Sequence, residues 1–435
     1  MSRSDQHVLR LTAADTRGGE SQAGRRRGKG TAPEGLRPGD LLAAFFGLGI
    51  AFLVIAAFVA GIYAAGGWSS GRWLALHLAF VGGVSQLVLG ASQFFVCAFL
   101  ATTPPPRALV RGQLAAWNLG TVLVTAGVTS RSDVMTDAGA ALLVIGLVLL
   151  VAGLRSMQRR SLQRAPWAAR WYYACAALLA LGVLAGALLA RGAAWPLGSL
   201  LGAHLALNVA GWFGTAIVGT LHTFYPSLTK TRLRFPRLQA PAFAAWVSGA
   251  GALACGYGLD TAWLALSGWV GLTLGATLLA VNLLAATRRA PAPLPLPARL
   301  VAVGQGFLIA GLLVGLVLAL DQGLAAPLVG TGRSAVAVLL LAGWLGLTVL
   351  GSLIHLLSVL LRARDLTQPQ PSPLRDGALP TLAVLGVLGV AGAQLPSVEP
   401  LATPAAAALV LVYLLLMARV VRLAARALRH GELSI

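Results

Sequence analysis

The stretch LGAHLALNVAGWFGTAIVGTLHTFYPSL, residues 201–228, decides how this chain is read. It contains no Asp, Glu, Lys or Arg, and it exceeds the roughly 20 apolar residues that cross a bilayer as a helix. Its two histidines are costly there, and an intramembrane imidazole is by default a candidate functional residue. His204, Asn208, Gly211, Thr215, Gly219 and His222 are spaced 4, 3, 4, 4 and 3, which is one helical face. The histidines are 18 residues apart, or five turns at about 3.6 residues per turn and about 27 Å at 1.5 Å per residue. The spacing therefore predicts that they point the same way, one near each membrane face. The small residues between them leave room for a flat macrocycle or for a neighbouring helix.

The rest of the chain has the same character. It is 57% hydrophobic and 11% charged, with mean hydropathy +0.79, which excludes a soluble domain. Apolar runs predict twelve spans at about 41–65, 73–101, 109–129, 134–154, 168–190, 197–222, 240–258, 261–286, 298–320, 333–361, 378–395 and 402–418. The expected fold is an all-α polytopic membrane protein.

The net charge of +20 is distributed by side. With the N-terminus inside, 29 of the 33 Lys and Arg residues fall on the inner side; only Arg72, Arg131, Arg191 and Arg333 lie outside. This bias places both termini in the cytoplasm and the protein in the plasma membrane, with membrane lipids as its partners. It also removes the reason to invoke nucleic acid, because the basicity marks topology.

Residues 1–39 read as a disordered basic cytoplasmic tail without a cleavable signal, 40–425 as one twelve-helix membrane domain, and 426–435 as a short cytoplasmic tail. No linker separates a second domain, and no short-period repeat stands out. Cys97, Cys175 and Cys255 lie inside spans with no CxxC spacing and read as small core residues. All thirteen acidic residues fall in tails, loops or span edges, which argues against an ion-coupled transporter.

His204 and His222 have counterparts at similar depth. His77, four residues into span 2, matches His204 near the outer face. His355, deep in span 10, matches His222 near the inner face. The expected cofactor is heme b or copper, ligated by His77 and His204 outside, with His222, His355 and Asn208 as further cofactor-binding residues. Each histidine could instead hydrogen-bond across a helix interface, as Gln86, Gln93, Asn118, Asn282 and Gln305 are expected to do. Two further readings stay open: a cofactor-free membrane scaffold, and a non-redox transporter or channel using the polar stripe of span 6.

The stretches HLAFVGGVSQLVLGASQFF (77–95) and HLALNVAGWFGTAIVGTLHTFYPSL (204–228) resemble the membrane region that precedes multicopper-oxidase domains in some actinobacterial proteins. That region is similar to the twelve-span subunit I of heme–copper oxidases and to the heme- and copper-binding NnrS family. The resemblance rests on the H-x3-N-x2-GW-x6-G-x6-P pattern of His204, Asn208, Gly211, Trp212, Gly219 and Pro226. It implies an oxidase-like bundle, retained heme or copper binding, and a redox or copper partner protein in electron transfer, metal handling or nitric-oxide stress. The chain departs from that pattern at Gln86 and Phe94, where relatives carry histidines. It also has no histidine in span 7 and no paired H-x-H in span 10. These departures argue against oxygen reduction.

Overall fold

The computed structural model describes residues 36–68, 70–163, 167–364, 377–393 and 397–429. The expected tail residues 1–35 and 430–435 lie outside them. The described residues are all helical apart from turns and short connections. The long helices are α1 (Pro38–Ala64), α2 (Gly71–Phe99), α3 (Arg107–Ser130), α4 (Asp133–Arg160), α5 (Trp167–Ala190), α6 (Leu200–Leu228), α7 (Gln239–Gly258), α8 (Ala262–Thr287), α9 (Leu296–Asp321), α10 (Gly330–Arg362), α11 (Ala378–Gly392) and α12 (Ala402–Arg429). Ten of these are long and apolar enough to cross a membrane. The other two are α3, which carries Arg107, Arg111, Gln113 and Asn118, and the short α11.

Helix ends differ from the sequence reading in small ways. Pro38 starts α1, as proline does where a helix's first N–H would be unpaired anyway, so residues 38 and 39 belong to the helix and not to the tail. α6 runs past His222 to Leu228, with Pro226 inside it. α12 continues through residues 426–429, which the sequence assigned to a tail.

Three helices form the centre. The most apolar stretches of α6, α10 and α2 are 67%, 61% and 56% buried, against 50% or less for the other seven candidate spans. Sequence neighbours pack against one another around them, and α12 returns to touch α1. These same three helices carry all four intramembrane histidines. Each also contains a π-helical stretch: Leu78–Val84, Ala206–Gly214 and Val338–Gly346. π-Helical turns are rare and tend to occur at functional sites.

The central helices repeat one another. GGVSQLVLGA (82–91), GWFGTAIVGT (211–220) and GWLGLTVLGS (343–352) align without gaps at offsets of 129 and 132 residues. The packing repeats with them. A Cβ added at Gly90, Gly219 or Gly351 would lie 2.6 Å from Phe45, 2.3 Å from Trp171 and 3.1 Å from Leu300, residues on the preceding helix in each case. Gly82, Gly211 and Gly343 meet Phe52, Leu178 and Phe307 in the same way, at 2.5, 2.9 and 2.6 Å. Gly120, Gly249 and Gly386 then face the carbonyls of Gly139, Gly268 and Ala405 at 2.9, 3.1 and 3.1 Å. The helices are thus three units of four: α1–α4, α5–α8 and α9–α12.

The π-helical stretches share a further contact. The Trp117 indole on α3 donates to the Val81 carbonyl at 3.0 Å, and the Trp246 indole on α7 donates to the Ala210 carbonyl at 3.1 Å. Trp117 and Trp246 are 129 residues apart, as are Val81 and Ala210. In the third unit, Ala383 occupies the position aligned with those tryptophans, and the Tyr413 hydroxyl on α12 donates to Ala342 instead.

Candidate functional site

Three of the four intramembrane histidines sit where backbone carbonyls fix their tautomers. His77 Nδ1 lies 2.8 Å from the Trp73 carbonyl, one turn earlier on α2, and its ring stacks on Trp73 at 3.9 Å between centroids. His204 Nδ1 lies 3.0 Å from the Gly182 carbonyl on α5. His222 Nδ1 lies 2.8 Å from the Val218 carbonyl. A carbonyl only accepts, so each Nδ1 carries the proton and each Nε2 presents a lone pair. Metal-ligating histidines are commonly held in this way, with the far ring nitrogen donating to a carbonyl or carboxylate.

Asn208 also lies 3.3 Å from His204 Nδ1, but its amide already donates to the His204 carbonyl at 2.7 Å. The nearer, acceptor-only Gly182 carbonyl therefore sets the tautomer. Asn208 supports the His204 turn of the helix, and α5 comes close because Gly182 and Gly186 lack side chains there. A Cβ at Gly182 would lie 2.8 Å from the Asn208 amide nitrogen, and one at Gly186 2.9 Å from His204 Cε1.

This geometry corrects the reading of the span 6 stripe. Nine residues between His204 and His222 are π-helical, with i→i+5 bonds, so five turns of 3.6 do not describe the segment. The stripe nevertheless faces one partner, α5. Gly211 abuts Leu178, Gly219 abuts Trp171, and His222 stacks on Trp171 at 5.8 Å between centroids. The small residues admit a helix, not a macrocycle.

The expected pairs fare differently. His77 and His204 lie on separate central helices, α2 and α6, and each holds its Nδ1 on a backbone carbonyl. His222 and His355 have different aromatic neighbours, His222 stacking on Trp171 and His355 meeting the Phe224 ring in a T-shaped contact at 5.6 Å between centroids. Phe224 also meets Phe95 of α2 at 5.3 Å between centroids, so Phe95, Phe224 and His355 link the three central helices through ring contacts. His222 is fully buried, and its Nε2 has no hydrogen-bond partner among the described residues.

Among the described residues no group of three or more His, Cys, Asp or Glu side chains could hold a metal ion. An all-protein tetrahedral centre is therefore missing from them. Two imidazoles still suffice for heme, whose porphyrin supplies the remaining iron ligands.

A second feature was not visible in the histidine pattern. A cavity of about 90 Å³ lies between α2, α6 and α10. Its walls come from aligned positions: Leu87, Ala216 and Thr348; Val88, Ile217 and Val349; Ala91, Thr220 and Ser352. Recognising it from sequence would have required the alignment of 82–91, 211–220 and 343–352, whose shared residues are chiefly glycines.

The long apolar helices, the buried polar residues on their inward faces and the lipid-compatible outer surfaces define an integral, multi-pass helical membrane protein. No protein-family model matches the chain, and no curated protein sequence does.

Proposed function

We propose that this protein crosses the plasma membrane twelve times, with both termini in the cytoplasm, and binds a heme b between His77 and His204. The topology draws on the 29-to-4 distribution of basic residues and on the repeat. α3 and α11 are less apolar or shorter than the other helices, yet they pack as α7 does, through Gly120, Gly386 and Gly249.

The observation that carries the heme reading is the pair of imidazoles on separate central helices, each with Nδ1 held by a carbonyl and Nε2 left as the ligating atom. A bound heme would supply a one-electron couple. The role of the chain is to hold both imidazoles in the ligating tautomer and to keep the site dry. This gives an electron-transfer or metal-handling role, as the resemblance to oxidase-like and NnrS-like membrane proteins implies, with a redox or copper protein as partner. Copper is the alternative ligand of the same two nitrogens. The cofactor-free scaffold remains the contrasting reading.

Absorbance of the detergent-purified protein tests this. A Soret band that His204→Ala removes or shifts, and that Phe94→Ala leaves unchanged, is the expected result. Colourless protein that contains neither iron nor copper would overturn the heme and copper readings and leave the cofactor-free scaffold and the non-redox transporter or channel.

A further inference from the structure

The cavity on the axis of the three central helices is built by the repeat but is not equivalent on its three sides. The α2 side presents Val88 and Ala91, and the α6 side presents Ile217 and Thr220. The α10 side presents Val349 and Ser352. One turn further on, the aligned positions are Phe94, Thr223 and His355. All nine of these residues are partly accessible although they lie on the three most buried helices, and the first two of each set line the cavity, so each unit contributes positions i and i+3 to its wall. The remaining wall is Phe46, Val84, Leu87, Phe95, Leu221, Phe224, Leu353 and Leu356, all buried hydrophobes, together with Ala216 and the hydroxyls of Tyr172 and Thr348.

Most of the hydroxyls are already engaged. Tyr172 bonds Thr220 at 2.7 Å, Thr220 donates to the Ala216 carbonyl at 2.7 Å, and Thr348 accepts from Gln305 at 2.9 Å. Ser352 is the hydroxyl in the wall that has no partner among the described residues. An ion would find no charged group in the wall. Water would find few free partners, and a stable buried water makes about three hydrogen bonds.

Volume narrows the occupant further. About 90 Å³ is well above the roughly 10–15 Å³ that one water needs, and below the roughly 150 Å³ of a dry engineered cavity that accepts benzene. We infer that this axial cavity is a binding site for one small uncharged molecule of two or three heavy atoms, the class of the dissolved diatomic gases. Apolar contact with Val88, Ile217 and Val349 holds it, and the Ser352 hydroxyl offers a single hydrogen bond. The inference does not rest on the histidine pair binding a metal.

Xenon is the probe. Crystals of the full chain pressurised with xenon are expected to show one peak between Val88, Ile217 and Val349. The peak should vanish in Ala91→Leu and Ser352→Leu, each of which fills the cavity from a different helix while leaving Tm unchanged or raised. A second measurement is made in detergent solution, where dissolved dioxygen should broaden the methyl resonances of those three residues more than those of Leu150 or Val412, which are buried elsewhere. Ordered water, detergent or an acyl chain in the cavity without displacement by xenon would overturn the proposal, as would xenon binding that persists in both filled variants. Loss of the Soret band in His204→Ala leaves the xenon peak in place, so the two proposals fail separately.

Discussion

Replacing Gly219 by alanine separates two effects of opposite sign. In a helix interior alanine is favoured over glycine by about 0.8–1.0 kcal/mol. At Gly219 the new Cβ would sit 2.3 Å from Cγ and 2.5 Å from Cβ of Trp171, on a rigid ring attached to the neighbouring backbone. Overpacking of this kind costs about 1–3 kcal/mol. The net expectation is a loss of up to about 2 kcal/mol, together with a displaced Trp171 and loss of its stack on His222. Gly351 is the aligned residue in the third unit, but its nearest neighbours are 3.0–3.1 Å away, so Gly351→Ala is expected to be nearly neutral. Gly306 has nothing within 4 Å, so Gly306→Ala is expected to stabilise by up to about 1 kcal/mol. Equilibrium unfolding in mixed micelles, followed by tryptophan fluorescence, gives all three values. The reasoning is refuted if Gly219→Ala is as stable as Gly306→Ala, because α5 would then not be seated where the close contact requires.

Reporter fusions after residues 160, 232 and 290 should read cytoplasmic and those after 194 and 327 exterior; an exterior signal at 160 would undo the twelve-span topology. Tyr413→Phe removes only the hydroxyl that reaches the Ala342 carbonyl and should cost about 0.5–1.5 kcal/mol by the same unfolding assay, while no change would mean the π-helical stretch does not need that donor. Arg191 and Asp137 pair at an exposed position, with side chains 51% and 38% accessible. Arg191→Ala should therefore change stability by less than about 1 kcal/mol, and a larger loss would show the pair to be part of a buried network.

The membrane class and the helix positions were legible because a bilayer demands long apolar runs, and the four histidines stood out against helices with no carboxylates. Three things were not legible. The π-helical stretches have no compositional mark; their evidence is a tryptophan on another helix, Trp117 or Trp246, donating to a carbonyl within them. The small residues of span 6 fit either a macrocycle or a helix, and only the positions of Leu178 and Trp171 decided for α5. The repeat was hidden because what it retains is close approach, at Gly90, Gly219 and Gly351, while the surrounding side chains have diverged to suit lipid or core.

The meeting of the first and last helices has a consequence for how the chain can be cut. Ala43, near the start of α1, shares a small cluster with Leu360, Leu361 and Ala427, so the beginning of α1 lies beside the end of α12. Neighbouring units are otherwise joined by short segments such as residues 288–295 between α8 and α9. A circularly permuted chain that opens in that segment and joins the old ends through a flexible linker would keep every interhelical contact. Its units would enter the membrane in a new order, which makes the order of insertion a variable that can be changed without altering the final bundle.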